Sequence, residues 1–145
     1  MAQSILVDGS FVWTLFPFGP PDPPDLPGPV RHIAYVLATR SERTSTKVLL
    51  AYTSSGPWRS AAATLPRGII EFDAAAAKAL GQRPFHIDLR CLAQVPVTAA
   101  WFPDIARPRQ GVVGVAGARL QVRIQGVLDD LVERSRELIE IRGPR

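Results

Sequence analysis

Two stretches decide the fold: Ile33-Ala34-Tyr35-Val36-Leu37-Ala38 and Val48-Leu49-Leu50-Ala51-Tyr52, separated by the polar run Arg40 to Thr46. Each is a short apolar run rich in β-formers, and together they read as adjacent antiparallel strands joined by a hairpin loop. Outward toward the N-terminus, Phe11-Val12-Trp13-Thr14-Leu15-Phe16 is β-branched and aromatic and predicts another strand. On the other side Ile69-Ile70-Glu71-Phe72 predicts a fourth. Asp73 then caps a short helix over 74–80, with Gly81 as its stop. Phe85 to Leu92 alternates Phe85, Ile87 and Leu89 against His86, Asp88 and Arg90, which predicts a half-exposed strand. From Ala118 onward, Leu120, Ile124, Val127, Leu128, Leu131, Val132, Leu138 and Ile139 recur mostly at three- and four-residue steps, predicting a C-terminal helix from about 119 to 141. The class is therefore mostly β, with two helices.

Between the first strand and the central hairpin, residues 17–29 hold seven of the fourteen prolines. Proline fixes φ and has no amide hydrogen to donate, so this segment is neither helix nor central strand. It is expected to be a stiff extended loop that crosses the face of its own domain, with Asp22 and Asp25 as its charges. Beside a basic groove such a loop would act as a lid. The alternative is a packed cover that buries Phe16, Phe18 and Leu26.

A chain of 145 residues has room for one domain, here taken as 1–145, and can bury enough surface to fold without staples. The single Cys91 excludes an internal disulfide and, with two His, leaves no conventional transition-metal site, so neither metal nor cofactor is expected. No basic n-region opens the chain and no apolar run approaches about 18 residues, so a cytoplasmic protein without membrane contact is expected. Charge is uneven. Residues 1–30 carry no Lys or Arg, whereas residues 31–123 carry thirteen basic residues against five acids. A central block of that sign suits an anionic partner, nucleic acid first among them. Fifteen of the seventeen bases are Arg, a bias that genome composition alone can produce.

No phosphate-binding loop, G-x-G-x-x-G, G-x-S-x-G or H-E-x-x-H occurs, so nucleotide-dependent transfer, serine hydrolysis and zinc proteolysis have no support. Three polar groups remain: Arg31-His32 at the end of the proline loop, Thr53-Ser54-Ser55 at a strand end, and the row His86, Asp88, Arg90. Residues two apart on a strand share a face, so that row offers imidazole, carboxylate and guanidinium together. This set suits phosphodiester cleavage, which needs a base, an acid and a cation for the crowded phosphate. A solvated strand face with an i,i+2 ion pair uses the same residues.

The order of these groups carries a resemblance. Gly9-Ser10-Phe11-Val12-Trp13 is followed by the proline-rich loop, then by Pro29-Val30-Arg31-His32-Ile33 entering a strand and Ala51-Tyr52-Thr53-Ser54 ending one. After the short helix come His86-Ile87-Asp88-Leu89, Trp101-Phe102 and Gly117-Ala118-Arg119-Leu120. From about residue 9 to 132 this resembles the PemK/MazF/Kid family of toxin–antitoxin toxins. The resemblance implies an SH3-like barrel, a homodimer, metal-independent cleavage of single-stranded RNA, and an antitoxin protein whose tail blocks the RNA groove. It also implies roles. Arg31 matches the strand-entry arginine, a candidate for phosphate binding or proton transfer; Thr53 and Ser54 match RNA-contacting hydroxyls; and Asp88 matches the acid of an R-x-D pair. His32 stands where the family has proline and His86 where it has arginine, and a histidine there could still move protons. The expected site is thus catalytic Arg31, His86 and Asp88 with RNA-binding His32, Thr53, Ser54 and Arg90. The alternative is a barrel without catalysis that binds a protein, as the gyrase-poisoning CcdB toxins do, or a non-toxic interaction module.

Overall fold

A computed structural model describes residues 6–17, 23–56, 58 and 65–144. The middle of the proline-rich loop, with Phe18 and Asp22, lies outside the described residues. Among those described, seven strands form one sheet: β1 (Ser10–Thr14), β2 (His32–Ser41), β3 (Thr46–Ser55), β4 (Ile69–Phe72), β5 (Phe85–Pro96), β6 (Val112–Val115) and β7 (Glu140–Arg142). Their order is β4-β5-β3-β2-β1-β6, all antiparallel neighbours, with β7 added in parallel beside Cys91–Ala93 of β5. The fold is mostly β, and the central hairpin is the β2–β3 pair, which runs from Ala34↔Tyr52 to Ser41↔Thr46 with one bulge at Leu37.

The sheet does not close into a barrel: β4 and β6 are the ends of its pairing path. The gap is filled by side chains instead of a ladder. Helix α1 (Ala74–Lys78) leads to Leu80, which lies so close to Gly114 of β6 that a Cβ there would meet Leu80 Cδ2 at 2.9 Å. Helix α2 (Ala118–Ser135) spans the opening, with Gln121 against Gly9 next to β1 and Leu131 over Gly68 next to β4.

Strand alternation gives two apolar layers. Phe11, Tyr35, Ala51, Phe85, Ile87 and Leu89 face α2, where Ile124, Leu128 and Leu131 complete the layer. Val12, Ala34, Val36, Leu50, Ala93 and Val95 face the other way, under Trp101 and Phe102. Between Ala51↔Leu92 and Tyr52↔Asp88 the β3–β5 register jumps, leaving Leu89, Arg90 and Cys91 as extra residues on β5. An odd insertion flips the side-chain parity. Before it the odd residues of β5 face the helix; after it Leu92 does and Ala93 does not.

Asp73 caps α1 as the sequence requires, its Oδ1 accepting from Ala76 N at 2.9 Å, and Gly81 follows with φ +68. The terminal helix is shorter than its apolar periodicity predicts. It ends at Ser135, and a 3-10 turn over Arg136–Leu138 leads into β7. The physical reason is the free edge of β5. Strand β4 covers only Phe85 to Asp88, so the tail gains more by pairing with Cys91–Ala93 than by extending an exposed helix. The tail also fastens the proline loop. Arg142 Nη1 donates to Pro17 O at 3.2 Å and Gly143 N donates to Pro24 O at 2.9 Å. Phe16 is fully buried, while Leu26 is exposed and is no part of a packed cover. No described helix is long and apolar enough to cross a membrane.

Candidate functional site

The ladder between β2 and β3 stops at Ala34↔Tyr52, and side chains take over beyond it. His32 Nε2 donates to Thr53 O, and Thr53 Oγ1 donates to Ile33 O at 2.6 Å. Because a carbonyl only accepts, the first bond puts a proton on Nε2 of His32. The ring stacks on Tyr52 at 5.0 Å and 14°. These bonds tie the two strand ends together beside a cavity of about 980 Å³, large for a ligand pocket. Trp13, Arg31, His32, Thr53, Ser54 and Ser55 line one side of it, and the Leu80–Phe85 segment lines the other.

Arg31 dominates the rim. Its guanidinium lies over the Trp13 ring at 5.1 Å, and Nη1 donates to Asp104 Oδ2 at 2.6 Å. The side chain remains 53% exposed, and its other donors meet no protein acceptor among the described residues. Arg83, across the cavity, is exposed and has no acidic partner among the described residues. Among the described residues no carboxylate lines the cavity. The result is a basic, partly aromatic groove with hydroxyls along one wall.

Four of the seven residues singled out from the sequence therefore meet here: Arg31, His32, Thr53 and Ser54. The other three do not line it. Ile87 points into the helix-side layer, so His86, Asp88 and Arg90 face away from α2. His86 is buried at 7% exposure, not half-exposed; its Nδ1 donates to Gly56 O at 3.0 Å, and Trp58 meets its ring edge-on at 5.5 Å. Asp88 and Arg90 bind each other twice, Nε to Oδ1 and Nη2 to Oδ2, both at 2.9 Å. Bonding to Asp88 pushes the Arg90 guanidinium above its ordinary pKa, and its charged plane stacks on Trp58 at 5.1 Å. Together these three build a wall behind the groove: in cross-strand register, Glu71, His86 and Ser54 lie in one row.

Sequence reasoning missed Trp13, Arg83 and Asp104 as members of the site. Alternation within β1 puts Trp13 on the same face as Phe11, which is a readable signal once the strand is known. Asp104 is 73 positions from Arg31, and nothing local marks it. No group of three or more His, Cys, Asp or Glu among the described residues is placed to hold a metal ion. Compared with known proteins, the chain matches no family model, no curated protein and no solved structure.

Proposed function

We propose that the groove binds single-stranded RNA and cleaves it without metal, as a toxin-type endoribonuclease. The observation that carries this reading is the exposed Arg31 guanidinium held over Trp13 beside Thr53, Ser54 and Ser55. A fixed guanidinium suits a phosphate, which it can meet with two parallel donors. The Trp13 ring and Arg83, which has no acidic partner among the described residues, suit the bases and backbone of an unpaired strand.

In the reaction the ribose 2′-oxygen attacks its own phosphorus, the bond to the 5′-oxygen breaks, and a 2′,3′-cyclic phosphate forms. One proton leaves the 2′-hydroxyl and one reaches the departing 5′-oxygen. Arg31 stabilises the charge that grows on the phosphate oxygens. Among the described lining residues His32 is the side chain of the type that exchanges protons near neutral pH, so proton transfer falls to it rather than to His86 and Asp88. Ser54 and Ser55 position the backbone. An antitoxin tail covering this groove, a homodimer and a cytoplasmic setting belong to the same proposal.

The test is purified protein with single-stranded RNA in EDTA: wild type yields cyclic phosphate ends, and Arg31→Ala and His32→Ala each lose most of the rate. That no carboxylate lines the groove among the described residues favours one other reading, a protein-binding module of the CcdB kind. Growth inhibition with intact cellular RNA and stabilised gyrase–DNA breaks would select it.

A further inference from the structure

We propose that Asp104 is a positioning residue, which together with Trp13 fixes the Arg31 guanidinium so that it presents its remaining donors to an anion in the groove. The inference rests on the RNA reading for its purpose, but its geometry stands apart from that reading. Arg31 lies before the first residue of β2 and is half-exposed, a setting in which a long side chain normally samples many rotamers. Here two different elements hold it. β1 supplies the Trp13 ring beneath the guanidinium, and the loop after Phe102 supplies the carboxylate at 2.6 Å.

The carboxylate is itself fixed. Asp104 is 7% exposed and follows Trp101 and Phe102, both buried. Its backbone carbonyl accepts from Arg107 N at 3.0 Å, and its Oδ1 meets Arg107 Nε at 3.3 Å. Gly111, at φ +84, closes the loop so tightly that a Cβ there would lie 3.2 Å from Asp104 Cβ and 3.6 Å from Trp13 Cβ. Two guanidinium groups share one carboxylate, so the cluster keeps a net positive charge and still favours an anion. Its ordering is complete before the ligand arrives, which removes that cost from binding.

The opposite role, a carboxylate that competes with phosphate for Arg31, uses the same contacts and predicts the opposite sign. Asp104→Asn separates them. It keeps the side-chain shape and removes the charge. Positioning predicts that Asp104→Asn raises the Kd for a short single-stranded RNA about tenfold and lowers kcat/KM at least as much, with partial rescue by Asp104→Glu. An unchanged or lower Kd would overturn it. NMR of the arginine Nε–Hε groups supplies a reading that needs no RNA and reports on the folded protein directly. The Arg31 Nε–Hε group gives a dispersed signal with a high order parameter in wild type, which Asp104→Asn lowers to that of a free side chain. A mobile Arg31 in wild type, or a signal unchanged in Asp104→Asn, refutes the clamp whatever RNA does. If wild type binds no RNA while the signal depends on Asp104, the clamp holds and the RNA reading fails.

Discussion

His86→Ala separates a catalytic from a structural histidine. The imidazole is 7% exposed, donates Nδ1–H to Gly56 O at 3.0 Å and meets the Trp58 ring edge-on at 5.5 Å and 80°. Removing it orphans a partly buried carbonyl, at roughly 1–2 kcal/mol. It also removes an aromatic contact worth about 0.5–1.5 kcal/mol. A destabilisation of roughly 2–3 kcal/mol follows. For a chain of 145 residues the unfolding entropy is on the order of 0.3 kcal/mol per kelvin, so the melting temperature should fall by about 7–10 °C. If the groove cleaves RNA as proposed, the loss reaches it through Gly56 and the paired Ser54, and cleavage at 20 °C below melting should stay within about threefold of wild type. Calorimetry and an initial-rate assay on the same preparation measure both. An unchanged melting temperature with a rate loss of about a hundredfold, the size of a lost proton-transfer group, would refute the placement of His86 behind the groove.

Leu131, fully buried where α2 crosses Gly68, should cost roughly 3 kcal/mol when cut to alanine, read as a shift in urea midpoint at unchanged slope. Burial, and next the Asp8 carboxylate, push the Tyr35 phenol up to about 12, so ultraviolet titration should show it ionising well above an ordinary tyrosine. Because the folded pKa is the higher one, its stabilising contribution is present below about pH 10 and is lost as pH rises toward 12; folding stability should fall by roughly 2–3 kcal/mol across that window. Burial also pushes the Cys91 thiol up against the lowering effect of Arg142, so iodoacetamide at pH 8 should label the folded protein far more slowly than the urea-unfolded chain.

The elements that local chemistry dictates were legible in the sequence. The apolar runs of the β2–β3 hairpin, the strand Ile69–Phe72 and the Asp73 cap are local patterns, and the structure has all three. The alternation from Phe85 to Arg90 also sorts these side chains onto two faces as expected. What alternation alone does not tell is which face holds the groove. That depends on which layer the helix covers, a long-range fact. Hence Arg31, His32, Thr53 and Ser54 come together while His86, Asp88 and Arg90 stand behind them. Strand β6 is four residues with a central glycine, and β7 is three residues after a helix; neither carries enough pattern to outweigh its neighbours. Both form because an exposed strand edge is there to be paired, β1 for the one and β5 beyond Asp88 for the other. Asp104 likewise carries no local pattern, because its partner Arg31 lies 73 positions away.

As proposed above, the groove around Arg31 cleaves RNA without a metal ion. The most direct measurement is end-group analysis of single-stranded RNA incubated in EDTA with wild type and with Arg31→Ala, both shown folded by their melting temperatures. Fragments ending in 2′,3′-cyclic phosphate from wild type, and their near disappearance with Arg31→Ala, are the predicted result. Intact RNA with wild type, or equal cleavage by the two proteins, would contradict it.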